Sequence, residues 1–300
     1  MVNPKSKIKN QKSQTTYMKR TIPFVKMVGA GNDFLVVDAR RLRQRRTRPW
    51  KAISQTLCDR HQGIGADGLL VLEPSATADV RMRVFNPDGS EAQMCGNGAR
   101  CVALYLKRHR VTIETKAGVV SGTVQNDRVA MRMTDPTQLR VNLSLRVNGR
   151  ATRVVHLNTG VPHTVVSVSQ LDRVKVNDVG RTLRFHPAFS PSGTNVDFIQ
   201  RSAGTNRLRV RTYERGVEAE TLACGTGVAA SAVAYVLGNG TRGRRQRHRV
   251  NVETRNGDRM AVSFTVVGSG RGVKVTDVIL EGRARRICQG TVQWPPEEQR

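Results

Sequence analysis

The chain has 300 residues, of which 38% are hydrophobic and 4% aromatic, and its 50 Lys and Arg outnumber its 23 Asp and Glu to give a net charge of +27. This length accommodates two domains, and no apolar run approaches the roughly 18 residues that cross a membrane as a helix. The odd number of cysteines, five, argues against a disulfide framework, and the absence of a CxxC pair or a histidine cluster argues against a structural zinc site.

The positive charge is concentrated in three runs, over residues 1–20, 40–48 and 242–249. Basic runs of this kind bind nucleic acid or acidic surfaces in some proteins, so a basic nucleic-acid-binding protein is one candidate function. Against it, aromatic residues that stack on single-stranded bases are few, and no nucleic-acid recognition motif is present. The runs also lie in segments that we expect to be loops. We therefore expect a solvated basic surface, whose contact with nucleic acid by charge has no functional role.

In chain order, residues 1–20 are polar, basic and poor in apolar side chains, which predicts a disordered extension. A transit peptide is disfavoured because the segment is lysine-rich and has no amphipathic stripe. The fold is expected to start at Thr21, and short β-like runs bounded by turn signals follow. They lie at 34–38, 68–72, 80–85, 111–115 and 129–133.

The second half of the chain, after a break at Asp135-Pro136, repeats this scheme. Its β-like runs lie at 154–158, 163–168, 196–199, 208–213, 249–254, 260–264 and 273–280. Each half also contains one apolar stretch of small residues with helical character, at 101–106 and 230–235. The repetition predicts an α+β protein with two pseudo-symmetric halves.

A cysteine precedes each helical stretch in a duplicated motif. Cys95 opens Cys-Gly-Asn-Gly and Cys224 opens Cys-Gly-Thr-Gly, each after an apolar residue. Unpaired N–H groups and the dipole at a helix N-terminus stabilise a thiolate, and glycine lets those N–H groups approach a substrate carboxylate. A single motif of this kind usually marks only a buried cysteine at the start of a helix. Two matched copies predict two thiols that face one substrate.

Two facing thiols suit an enzyme that removes a proton from one face of a carbon and returns one to the other face. One cysteine acts as thiolate base and the other as thiol acid, and the roles exchange when the reaction reverses. The donors around the carboxylate stabilise the charge that flows into it. Cys58, Cys101 and Cys288 lack the motif, and we expect them to be small core or surface residues.

With these motifs the chain resembles the diaminopimelate epimerase family over about residues 24–280. The segments that carry the resemblance, besides the two cysteine motifs, lie at 29–34, 63–68, 85–90, 159–163, 193–196 and 213–216. The resemblance implies two similar domains, each a mostly antiparallel β-sheet or barrel wrapped around a central helix, with the active site in the cleft between them. It also implies interconversion of LL- and meso-2,6-diaminopimelate, for lysine and peptidoglycan synthesis, without pyridoxal phosphate, metal or any other cofactor.

The same resemblance implies the domain bounds, the setting and the site residues. The basic extension covers 1–20, the Cys95 domain 21–132 plus 283–300, and the Cys224 domain 133–282, in a cytoplasmic homodimer. The residues that match the family's catalytic pair and the groups that tune it are Cys95, Cys224, Glu214 and His163. Those that match the grip on the reacting end of the substrate are Asn32, Gly96, Asn97, Gly225 and Thr226. Those that match recognition of its distal end are Asn86, Asn195, Glu214 and Arg215.

The residue types fit a substrate whose far end carries both an ammonium and a carboxylate. Arg215 offers a bidentate fork for a carboxylate, and asparagine offers both a donor and an acceptor. Taken singly, Asn86 is explained as a turn former and His163 as a structural histidine; beside the cysteine pair we expect Asn86 to bind substrate and leave His163 open. Val161 stands where the family often has asparagine. We therefore expect any difference from the family to lie in the recognition of the distal end of the substrate.

A racemase for proline-like amino acids, including hydroxyproline, uses the same two-thiol chemistry and is the alternative within this class. A substrate with a second charged end explains Arg215, whereas proline does not.

Overall fold

The structure is a computed structural model, and it describes residues 20–42, 48–202, 207–240 and 243–294. The predicted basic extension lies outside these ranges apart from Arg20, with which the first strand begins. Within the described ranges seventeen strands pair into one continuous mixed sheet, which wraps around two central helices.

The strands are short in the first half, and the last strand of the chain is long enough to run along both halves. The strands of the first half are β1 (Arg20–Gly29), β2 (Asn32–Asp38), β3 (Gly68–Glu73), β4 (Val80–Phe85), β5 (Glu91–Ala92), β6 (Arg110–Thr115), β7 (Gly118–Gln125) and β8 (Arg128–Arg132). Those of the second half are β9 (Thr137–Val147), β10 (Arg150–Asn158), β11 (Pro162–Ser167), β12 (Asn195–Arg201), β13 (Arg207–Glu214), β14 (Ala219–Thr221), β15 (Gly243–Glu253), β16 (Arg259–Gly268) and β17 (Lys274–Trp294). The α-helices are α1 (Trp50–Cys58), α2 (Gly96–Leu106), α3 (Val176–Arg184) and α4 (Gly225–Gly238).

The pairing of these strands repeats between the halves. In the first half β2 pairs with β3 in parallel, β3 with β4 and β4 with β5 antiparallel, and β4 with β6 in parallel. In the second half β11, β12, β13, β14 and β15 repeat the same sequence of pairings. The short strands β5 and β14 each lead directly into a cysteine motif. The predicted pseudo-symmetric α+β fold is confirmed, and every predicted β-like run lies mainly within a strand.

The two central helices carry the cores of the two halves. Helix α4 is buried over Val228–Ala234, among side chains such as Leu157, Ile199 and Phe264. Helix α2 packs against Met27 and other residues of the first half. A helix that is apolar and small-sided all round is stable only when surrounded, and the sheet supplies that surrounding. No helix in the described part of the chain has both the length and the apolarity needed to cross a bilayer.

The structure differs from the sequence-based expectations in two places. Helices α1 and α3 were not expected; in α1, Trp50, Ile53 and Leu57 are buried at helical spacing against the outer face of the first sheet half. The basic run at 242–249 was expected to be a loop, and from Gly243 onward it is part of β15. Pairing with β16 up to Gly268 holds this run extended, and composition does not reveal such a distant backbone partner.

Gly29 couples the sheet to the first turn of α2. A Cβ placed on Gly29 would lie 2.9 Å from the Asn97 carbonyl oxygen and 3.0 Å from Cys101 Sγ. We expect Gly29→Ala to lower the free energy of unfolding by about 1–3 kcal/mol, because the backbone of α2 must shift. In Gly238→Ala the new Cβ meets nothing within 4 Å. For this variant we expect the free energy of unfolding to be unchanged or to rise by up to about 1 kcal/mol. Urea unfolding of both variants tests this, and equal effects would contradict it.

Candidate active site

Both central helices begin at the glycine that follows a cysteine, as the motif predicts. Cys95 is the N-cap of α2, and its Sγ accepts a hydrogen bond from the Gly98 N–H at 3.4 Å. Cys224 is the N-cap of α4, and its Sγ lies 3.3 Å from Thr226 Oγ1. The backbone groups predicted to grip the substrate therefore belong to first helical turns, where N–H groups have no partner within the helix.

The two helix N-termini converge on one place. A Cβ placed on Gly225, the first residue of α4, would lie 3.6 Å from Asn97 Oδ1 in the first turn of α2. The carboxylate of Glu214 acts electrostatically on the thiols of both Cys95 and Cys224. Site residues of the two halves thus lie close together at these two helix N-termini.

The thiol of Cys95 is surrounded mainly by positive potential. Burial raises its pKa, while the N–H groups of Gly98 and Asn97 and the charge of Arg100 act in the opposite direction. The Glu214 carboxylate adds a smaller effect that raises the pKa. Donors and a cation near a sulfur stabilise its thiolate form.

The thiol of Cys224 has the opposite surroundings. Burial raises its pKa strongly, and the carboxylates of Glu214 and Asp197 raise it further. Only hydrogen bonds with Thr226 and the Gly227 N–H lower it. The carboxyl of Glu214 is itself largely buried, and this burial raises its pKa as well.

A chain of hydrogen bonds leads from a buried carboxylate to Cys224. His163 Nδ1 lies 2.7 Å from Asp197 Oδ2, and His163 Nε2 lies 3.0 Å from Thr226 Oγ1, which in turn lies against the Cys224 sulfur. Asp197 accepts a second hydrogen bond from Thr212 Oγ1 at 2.7 Å. Because the carboxylate accepts from Nδ1–H, the neutral ring presents Nε2 as an acceptor. The Thr226 hydroxyl then donates to Nε2 and accepts from the thiol.

His163, whose role the sequence analysis left open, is a member of this hydrogen-bond chain and its side chain is fully buried. Asp197 was missed, although it is fully buried too. The sequence contained a signal, because Asp197 is the only acidic residue of strand β12 and lies between Val196 and Phe198. An acid in a buried strand needs a partner, which makes it a candidate for a functional network.

A second chain of hydrogen bonds joins the start of α2 to the start of β2. Arg100 Nη2 donates to Asn97 Oδ1 at 2.5 Å, and Asn97 Nδ2 donates to Asn32 Oδ1 at 2.7 Å. Asn32 Nδ2 donates to Asp67 Oδ2 at 3.0 Å. The structure thus brings together the predicted residues Asn32 and Asn97. It adds Arg100 and Asp67, which the sequence analysis missed; a charged residue inside an apolar helix was the available signal for Arg100.

The predicted distal group is assembled around Asn195. Its Oδ1 accepts from the Arg215 backbone N–H at 2.8 Å, and its Nδ2 donates to the Pro162 carbonyl at 3.0 Å. The Arg215 guanidinium donates to the Ser192 carbonyl oxygen at 3.2 Å. No carboxylate among the described residues forms an ion pair with Arg215 in the structure, so this charge has no counter-ion in the described part of the chain.

Asn86 is the predicted site residue that the structure leaves apart. It is exposed, and its Nδ2 donates to Ser90 Oγ at 2.9 Å within its own turn. No described contact joins it to the other site residues. In the described ranges, no three His, Cys, Asp or Glu side chains converge as metal ligands would.

Solved structures share this architecture of two similar halves with a central helix each. A PhzF-family phenazine biosynthesis protein from Bacillus anthracis superposes with a TM-score of 0.65 at 18% identity, over 91% of this chain and 99% of its own. A hydroxyproline epimerase from Agrobacterium vitis superposes with a TM-score of 0.64 at 15% identity, over 93% of this chain and 95% of its own. The fold defines a class of two-domain α+β proteins, which in this chain has a cysteine at the head of each central helix.

Sequence comparison identifies the family within that class. The diaminopimelate epimerase family model matches residues 24–139 and 155–276. A diaminopimelate epimerase from Aquifex aeolicus is 37% identical over 281 residues, covering 89% of this chain and 96% of that protein. One from Methanothrix thermoacetophila is 40% identical over 288 residues, covering 90% and 96%. The chain belongs to the diaminopimelate epimerase family.

The hydroxyl of Thr226 links His163 to Cys224, and its removal has a specific consequence. Thr226→Val keeps the side-chain shape but leaves His163 Nε2 without its partner, so we expect a loss of about 1–3 kcal/mol in the free energy of unfolding. Thr226→Ser keeps the hydroxyl and is expected to retain most of the stability. Thermal and urea unfolding of the pair test this; a valine variant as stable as the serine variant would show that the link is not formed.

Proposed function

We propose that the protein is a cofactor-independent two-thiol epimerase that interconverts LL-2,6-diaminopimelate and meso-diaminopimelate, precursors of lysine and peptidoglycan. The observation that carries this proposal is the convergence of two cysteine-capped helix N-termini, one from each half, on a common space. Membership of the family supports the substrate. The two thiols provide both proton transfers, so the scheme needs no cofactor.

The reacting end of the substrate is held by the first turns of α2 and α4. Its carboxylate accepts hydrogen bonds from free backbone N–H groups at both helix N-termini, where the dipoles favour an anion. When the α-carbon loses its proton, the electron pair flows into this carboxylate. Donors that are already oriented stabilise the charge as it grows.

In one direction Cys95 is the base. Its thiolate takes the α-proton, which breaks the Cα–H bond, and the electron pair is held as an enediolate. The Cys224 thiol then gives its proton to the opposite face of the carbon and is left as thiolate. The configuration is inverted, and the two cysteines have exchanged protonation states.

In the other direction the Cys224 thiolate takes the α-proton, and the Cys95 thiol gives its proton to the opposite face of the carbon. The Thr226 hydroxyl, which lies between the Cys224 sulfur and His163 Nε2, is placed to donate to that thiolate. Asp197 holds the His163 ring in place through Nδ1. We therefore propose His163 as the group that tunes Cys224, with Asp197 as the residue that orients it.

The distal end of the substrate carries an ammonium and a carboxylate. Arg215 binds this carboxylate, because its guanidinium has no carboxylate partner within the described protein. Recognition of the two charges is completed by Asn195, Asn86 and Glu214. The backbone N–H of Arg215 holds Asn195 in place. Asn86 does so from its exposed turn, so this contact requires the turn to close over the substrate.

Removal of either thiol tests the two-base scheme. We expect Cys95→Ala and Cys224→Ala each to lower the rate of epimerisation by a factor of about 10² to 10⁴ or more, because a positioned acid or base is lost. Cys288→Ala changes an exposed cysteine and serves as the matched control with unchanged activity. Purified protein is incubated with LL-diaminopimelate in deuterium oxide, and label at the α-carbon is followed. Full racemising activity in either thiol variant would refute the scheme.

A proline-type racemase is the alternative that a fold neighbour favours, since a hydroxyproline epimerase shares the architecture. The test compares diaminopimelate with proline, hydroxyproline and glutamate. We expect turnover of diaminopimelate alone, and an increase in KM of about 10- to 100-fold in Arg215→Met, because a hydrogen-bonded charge pair contributes about 1.5–3 kcal/mol. Arg209→Met, in strand β13, which ends one residue before Arg215, removes an arginine that is paired with Asp172 and is the control. Turnover of proline with unchanged KM in Arg215→Met would favour the racemase.

The domain bounds and the setting belong to this proposal as well. We propose one domain over 21–132 plus 283–300 and another over 133–282. This division is supported by separate hydrophobic clusters, in which Leu280 packs with the second half and Ala284 with the first. The homodimer and the cytoplasmic location follow from the family resemblance, and contact of the basic surface with nucleic acid has no part in the function.

A further inference from the structure

Arg100 is a buried cation without a counter-ion. It lies in α2, on the turn after Cys95, and its side chain is fully buried. One guanidinium nitrogen donates to Asn97 Oδ1 and another lies 3.5 Å from the Gly96 carbonyl oxygen, but Nε has no hydrogen-bond partner. Of the described carboxylates, that of Asp258 is near enough to act on its charge, and none forms an ion pair with it.

A buried guanidinium without a counter-ion destabilises the folded state. Burial lowers the pKa of Arg100 from its ordinary value, yet arginine keeps its proton in proteins. An unpaired charge in the interior costs several kcal/mol, and an unpaired buried donor adds to that cost. A site that holds this cation and a free N–H is therefore suited to a negative charge that the protein alone does not supply permanently.

The guanidinium lies where the two halves meet. A Cβ placed on Gly225, at the start of α4, would lie 4.0 Å from Arg100 Nη1, and a Cβ placed on Gly282 of β17 would lie 3.3 Å from Nε. The side chain therefore reaches from α2 toward the N-terminus of α4, the helix that Cys224 caps.

This cation has no counterpart in the second half. The residue five positions after Cys95 is Arg100, whereas the residue five positions after Cys224 is Ala229. The charged groups that face Cys95 are Arg100 and, more weakly, Glu214. Those that face Cys224 are the carboxylates of Glu214 and Asp197. The duplicated motif is thus electrostatically unequal.

Arg100 also fixes the orientation of the amides at the reacting end. Because Asn97 Oδ1 accepts from the guanidinium, the Asn97 amide nitrogen must face Asn32 Oδ1. The Asn32 amide nitrogen is then turned to Asp67. The hydrogen-bond chain runs in one direction, from a cation to an anion, and both amides are held without rotation.

We propose that Arg100 is a positioning residue that makes Cys95, and not Cys224, the first of the two thiols to ionise in the free enzyme, and that its charge then balances the substrate carboxylate as the enediolate forms. The second part rests on the proposed function, whereas the first concerns the protein without substrate. The reaction thereby starts from one defined protonation state of a pair that the sequence presents as equivalent.

The test measures the ionisation of each thiol separately. Full-length protein is treated with iodoacetamide from pH 5 to 10, and the rate of alkylation of the Cys95 and Cys224 peptides is followed by mass spectrometry. In the wild type we expect Cys95 to become reactive at lower pH than Cys224. In Arg100→Met we expect the Cys95 rate at pH 7 to fall about tenfold, equivalent to a midpoint higher by about one pH unit. Arg100→Lys keeps the charge and is expected to restore most of the reactivity.

Arg108→Met removes the same charge two residues beyond the other end of α2, from an exposed side chain, and is expected to leave both midpoints unchanged. The proposal is overturned if Cys224 ionises first in the wild type, or if Arg100→Met and Arg108→Met give the same Cys95 profile. If the methionine variant does not fold, the wild-type order of ionisation and the lysine variant still decide. Alkylation needs no turnover, so a wild type without epimerase activity would refute the proposed function and leave this result intact.

Discussion

The burial of two helix N-termini against each other is the constraint on which the site depends. The first turns of α2 and α4 bring free backbone N–H groups and the positive ends of two helix dipoles to one place, and the buried Arg100 adds a full charge there. Like potentials in a dry interior repel, so this arrangement favours an anion between the helices. In the proposed reaction the substrate carboxylate, which gains negative charge, is this anion, and the thiols at the two helix caps lie beside it.

The rest of the structure holds these helix ends in place. In the first half Arg60 bridges the carboxylates of Asp33 and Asp67, and Asp67 in turn holds Asn32. In the second half Arg211 forms two hydrogen bonds with Glu220. Glu220 belongs to β14, the strand that leads to Cys224. Single exposed ion pairs contribute little to stability. Networks of such pairs instead fix the backbone on either side of the helix ends. They thereby hold the site residues in the exact positions that a proton transfer to or from one carbon requires.

The two halves share a fold but differ in chemistry. The first half supplies Cys95 with donors and a cation, and the second supplies Cys224 with carboxylates and a hydrogen-bond chain through Thr226 to His163. A symmetric pair of thiols would have no preferred distribution of one proton. Differences at a few positions inside a duplicated scaffold, such as Arg100 in place of Ala229, thus give the two thiols different electrostatic surroundings.

The sequence by itself determined the strands, the two cysteine-headed helices and the internal repeat, because alternation, small-residue runs and glycine motifs are local properties of the chain. It also pointed to Asn32, Asn97, Asn195, Glu214 and Arg215, although their roles came from resemblance and not from spacing. It did not find α1, α3, the extension of β15 into the arginine run, Asp197 or Arg100. Only the tertiary structure decided these, since each depends on what lies opposite it. For β15 this is a neighbouring strand, for Asp197 a histidine 34 positions away, and for Arg100 a buried position in which no described carboxylate forms an ion pair with it.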